Sequence, residues 1–156
     1  MVILCERLHP EATQWDFIYD VVRDERFIEN VGNIFTEYGT VLLQPFLDDF
    51  MDQKDLTESE IEENVVYMMR NLGFWPVWPN GNFYDYLKKL YELNQSLPQS
   101  DRIHHYFSDV PFSWDGMTEA KYASVRRNIF PKRDEIMADR IEAKFKEILD
   151  SERWFI

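Results

Sequence analysis

Three short stretches carry the side chains best suited to chemistry. They are Glu6 and His9 in "ILCERLHPE" (3–11), Glu37 in "GNIFTEYG" (32–39) and Asp109 in "RIHHYFSD" (102–109). A fourth, "RDEIMAD" (133–139), opens on Arg133 and Asp134. Carboxylates brought side by side repel one another and require a cation, a metal or a shared proton. A histidine among them can act as a general base, with its imidazolium stabilised by Glu6 or Glu37. The same Glu6, His9 and Glu37 could instead bind a divalent metal through oxygen and nitrogen. Asp109, Arg133 and Asp134 are the binding candidates. Arg133 would bring a cation for an anionic group or a developing oxyanion.

The elements around these residues would have to bring them together. Strands are predicted over residues 2–6, 33–37 and 102–109. Each ends on an ionisable group: Glu6 with His9 beyond it, Glu37, and Asp109. Ligands gather at the carboxyl ends of parallel strands, so parallel pairing would set these groups on one rim. A helix is predicted from Pro10, with Trp15, Ile18, Val21 and Val22 at helical spacing. Residues 41–98 read almost wholly helical. Pro45 breaks or starts a helix there, and Thr57 with Glu60 makes a capping box ahead of Ile61, Val65, Met68 and Leu72. Gly73 is placed to stop that helix, and Phe83, Tyr86, Leu87, Leu90 and Tyr91 form the stripe of the next. Further helices are predicted from Thr118 to Asn128 and from Pro131, the last with Met137, Ile141, Phe145 and Ile148 on its apolar side. The pattern predicts an α/β class: a short, mostly parallel sheet of about three strands with right-handed crossovers, and a large helical insertion, about 41–98, between strands two and three. A single α/β domain would span residues 1–156.

Composition narrows the function classes. The chain has 156 residues, 45% hydrophobic and 16% aromatic, enough for one core. Its net charge of −12 disfavours nucleic acid and anionic lipid as partners. No apolar run reaches the roughly 18 residues of a membrane span. "MVIL" is too short for a signal peptide, and the lone Cys5 excludes an internal disulfide framework. A cytoplasmic setting is expected, with an earlier removed leader left open. No repeat and no glycine-rich nucleotide fingerprint is present. Plainer readings stand beside the chemical ones. His9 before Pro10 could simply end a strand, Asp109 could cap a turn, and Glu37 could be a solvated loop residue. His104 and His105 alternate across a strand and read as packed or surface histidines, and Cys5 reads as inert core. Phe74, Trp75 and Trp78 could form an aromatic lid or pack the helices.

With these motifs in order, the chain resembles the erythromycin esterase-like and ChaN-like (TIKI) superfamily. "ILCERLHPE" resembles its opening Gly-Glu-x-x-His strand, with Glu6 and His9 on the Glu and His and Cys5 in place of the glycine. "NIFTEYG" looks like its second strand, where Glu37 matches a glutamate. "RDEIMAD" is similar to its Arg-Asp-x-x-Met-Ala segment, and Asp109 resembles an aspartate after a following strand. In esterases of this group the resemblance implies His-assisted attack of water on an ester, with no cofactor. ChaN-like members bind haem iron, and TIKI-like relatives are metal-dependent peptidases. Family members normally continue into further strands, so the chain looks like an N-terminal part or a shortened relative. Three functions are therefore expected in turn: an ester hydrolase with a small-molecule substrate, a divalent-metal or haem module, and a non-catalytic association domain. The apolar Trp154, Phe155 and Ile156 favour self-association.

Overall fold

Short-range chemistry sets several helix ends. The structure, a computed structural model, describes Leu4, residues 13–74 and residues 81–150. Helix α1 covers Thr13–Val22 and α2 covers Glu25–Asn30, which Asp24 caps by accepting a hydrogen bond from the Arg26 amide. Strand β1 covers Asn33–Thr40 and leads through a 3₁₀ turn into α3, Gln44–Asp52, where Pro45 lies in the first turn. Helix α4, Glu58–Asn71, starts at the expected capping box: the Thr57 hydroxyl accepts from the Glu60 amide, and the Glu60 carboxylate accepts from the Thr57 amide. Helix α5 covers Gly81–Ser96, and a 3₁₀ turn at Gln99–Asp101 leads to β2, His104–Asp109. Helix α6, Glu119–Asn128, is capped by Thr118, and α7, Arg133–Asp150, follows the turn Phe130–Lys132.

The expected three-stranded α/β sheet is overturned. Among the described residues only β1 and β2 pair, in parallel, and helices dominate. Of the expected first strand only Leu4 is described; it lies in no regular element and is exposed. The helices between the strands are not an insertion laid over a sheet, because they supply most of the main core. Leu47 and Phe50 of α3, Val65 and Met68 of α4, and Phe83, Leu87 and Leu90 of α5 are all buried in one cluster with Trp15 and Val22 of α1. Such a face buries as much apolar surface against other helices as against a sheet.

Two side-chain amides bond to the backbone of β2 and of the residue before it. Gln44 donates to the His105 carbonyl at 2.9 Å and accepts from the Phe107 amide at 2.7 Å, covering β2 where a further strand would pair. Asn94, fully inside the core, exchanges two bonds with the backbone of Ile103 at 2.9 and 2.8 Å. His105 is buried, as its plainer reading expected. It lies 3.1 Å from the Tyr86 hydroxyl and 3.3 Å from that of Thr36, and burial lowers its pKa to about 3. On α7 only Ile148 is buried, while Met137, Ile141 and Phe145 are half-buried. Cys5, Trp75, Trp78 and residues 154–156 lie outside the described residues. No described helix is long and apolar enough to cross a membrane.

Candidate functional site

β2 ends at Asp109 as the sequence suggested, but β1 does not end at Glu37. β1 runs past Glu37 to Thr40, and its pairing with β2 shifts between Thr36 and Thr40. Residues 37–39 form this irregularity, and Gly39 makes it possible: its φ is 100°, and a Cβ there would overlap the Phe107 ring. Thr40 then ties the strand ends together. Its hydroxyl donates to the Val110 carbonyl at 2.8 Å and accepts from the Phe112 amide at 2.9 Å, while its own amide donates to Leu72. Through those bonds Asp109, the last residue of β2, is held beside the bulge.

Three of the expected site residues meet there. Arg133 Nε donates to Asp109 Oδ1 at 2.7 Å, and a terminal nitrogen of the same guanidinium stands 3.5 Å from Glu37 Oε1. Asp109 has 0% side-chain exposure, Arg133 12% and Glu37 39%, so the cluster grades from buried to half-open. Arg133 is the first residue of α7, where the helix dipole disfavours a cation. The two carboxylates explain why a cation is nonetheless held there. The guanidinium carbon also lies 5.9 Å from the centre of the Phe74 ring, a cation–π contact.

Burial pushes the Asp109 carboxyl above its ordinary value. The Arg133 hydrogen bond and charge and the Val110 amide pull the other way, and the Glu37 charge adds to the rise. Asp109 Oδ2 is buried without a hydrogen-bond partner among the described residues. With both acids ionised, two carboxylates face one guanidinium among the described residues, an arrangement that favours an added positive charge. Glu37 is the cluster's half-open member.

The remaining candidates fall elsewhere. Asp134 is an exposed acid in the first turn of α7 and makes no bond to the cluster among the described residues. Glu6 and His9 lie outside the described residues. Among the described residues, no group of three His, Cys, Asp or Glu side chains is placed to hold a metal ion. The sequence reading missed Thr40, Trp114 and Tyr122. Phe74, for which a lid or ordinary packing was expected, packs: it is buried in a second apolar cluster with Val110 and Phe112. Trp114 donates to the Gly73 carbonyl at 3.0 Å and Tyr122 to the Phe74 carbonyl at 3.1 Å, which fixes the backbone beneath the guanidinium. Gly39, two residues after Glu37, was the available signal for the bulge. No family model, curated protein or solved structure matches the chain.

Proposed function

We propose that the protein is a hydrolase that cleaves a small-molecule ester by histidine-assisted attack of water, as the erythromycin esterase-like resemblance implies. The observation that supports this reading is the joining of Glu37 and Asp109 through Arg133 beside the carboxyl ends of two parallel strands. His9 takes a proton from water as the oxygen adds to the ester carbonyl, then returns it to the departing alkoxide, giving an acid and an alcohol. Glu6 and Glu37 orient the imidazole and stabilise its cation. Asp109 anchors Arg133, whose charge favours the developing oxyanion. The roles of Glu6 and His9 rest on the sequence. A panel of model esters, run with the intact chain, His9→Ala and Glu37→Gln, tests the reading. His9→Ala should lose at least about 100-fold in turnover while keeping its thermal midpoint. Equal rates for the intact chain and His9→Ala would overturn it.

A second reading, a divalent cation on the same rim, is favoured by the buried Asp109 Oδ2, which has no hydrogen-bond partner among the described residues. Glu37 and Asp109 are hard oxygen donors of the kind that suit magnesium, calcium or manganese. Neither is a customary axial ligand for haem iron, so haem would depend on His9. Metal analysis and an absorption spectrum of the protein as isolated decide this. A stoichiometric ion surviving dialysis supports the reading, and its absence with no Soret band counts against it.

A further inference from the structure

A second buried cation stands outside that cluster. Arg102 lies between the 3₁₀ turn and β2, with 10% of its side chain exposed. Its Nη1 donates to the Met51 carbonyl and to Asp52 Oδ1, both at 3.4 Å, at the C-terminal end of α3 where the helix dipole favours a cation. Those bonds are long. Nε is buried with no hydrogen-bond partner among the described residues, and Asp52, 73% exposed, is a solvated counter-ion. A guanidinium carries five N–H donors, and a buried charge so sparsely bonded is unfavourable until an acceptor is supplied.

Arg102 lines a groove of about 630 Å³, between the loop joining α3 to α4, the C-terminal half of α5 and the turn before β2. Leu56, Ile61, Leu97 and Pro98 give it apolar walls, and the exposed Lys54 adds a second cation. Asp55 and Glu92 line it as well, and Asp52 stands beside Arg102. With Asp52 the three acids exceed the two cations by one, so a singly charged anion is repelled less than a doubly charged one and has to be held by direct bonds to Arg102.

We infer that this groove binds a small monocarboxylate with an apolar tail. The carboxylate bonds to the guanidinium of Arg102, and the tail lies along Leu56 and Leu97. The site is independent of the ester-hydrolase reading, and neither depends on the other.

The test is an NMR titration of the ¹⁵N-labelled full chain with 4-methylpentanoate, its neutral isostere 4-methylpentanamide, and inorganic phosphate. Saturable shifts at the amides of Leu56, Gln95 and Arg102 are expected with the carboxylate. Binding of the amide and of phosphate should be at least about tenfold weaker. Arg102→Gln should weaken the carboxylate by about tenfold or more. That substitution also removes the contacts to α3, so Lys54→Gln provides a surface variant. It should retain the fold, weaken binding about twofold and reduce its salt dependence. Equal affinity for carboxylate and amide, tighter binding of phosphate, shifts confined to other parts of the chain, or no saturable shift would each overturn the assignment.

Discussion

Arg133→Met isolates the ion pair beside the strand ends. Methionine keeps much of the stem over Phe74 and removes the charge. Asp109 is wholly buried and its 2.7 Å bond to Arg133 is its shortest contact to a cation. Leaving such a carboxylate without its partner costs about 3–5 kcal/mol, a large share of the roughly 5–15 kcal/mol typical of a folded domain. The loss should depend on pH. Burial already holds the Asp109 pKa above its ordinary value, and Arg133 restrains the rise, so the substitution raises it further. A carboxyl with a raised folded pKa stabilises the protein below its unfolded pKa, and that contribution disappears as pH rises through the folded pKa. The penalty of Arg133→Met should therefore be greatest near neutral pH. It should shrink on acidification, by up to about 1.4 kcal/mol for each unit by which the variant's folded pKa exceeds the parent's. Asp109→Asn, which removes the buried charge while keeping the shape, should cost less than Arg133→Met. Urea unfolding followed by tryptophan fluorescence, at about pH 7 and about pH 5, measures each variant and the double substitution. A loss below about 1 kcal/mol at neutral pH, or one that does not shrink on acidification, would refute the argument.

Three further expectations follow from the same geometry. Because burial lowers the His105 pKa from 6.5 to about 3, stability should fall with pH below about 6.5, with His105 contributing about 2.7 kcal/mol of loss by about pH 4.5. His105→Gln should remove that part of the slope, and urea midpoints across the range check it; an unchanged slope would remove His105 as its source. Gly39→Ala should cost at least about 2 kcal/mol, since it combines a left-handed φ with overlap on Phe107, and a wild-type thermal midpoint would contradict the bulge. Met137→Ala should cost about 1–2 kcal/mol, below the roughly 2–5 kcal/mol of a fully buried position, because Met137 is half-buried; a denaturation loss above about 3 kcal/mol would place α7 deeper in the core.

Helix starts were legible in the chain because their causes are local. The Thr57 box with Glu60, and Thr118 ahead of α6, each join a side chain to an amide three residues away, and both stand where the sequence placed them. Asp24 carries a similar local signal at the start of α2, a helix the sequence analysis does not place. The parallel partner of β1 was also anticipated, although β1 runs beyond its expected end through the irregularity at residues 37–39. The role of the intervening helices could not be read this way. The stripe on α5 shows that one face is apolar, but whether helix or sheet covers it depends on partners distant in the chain. The site divides on the same line. Glu37, Asp109 and Arg133 could be named from residue type and motif order. Their bonding, the burial that raises the Asp109 pKa, and the Thr40 and Phe74 supports required the tertiary structure. Desolvation and a 2.7 Å bond arise only when segments remote in sequence exclude water together.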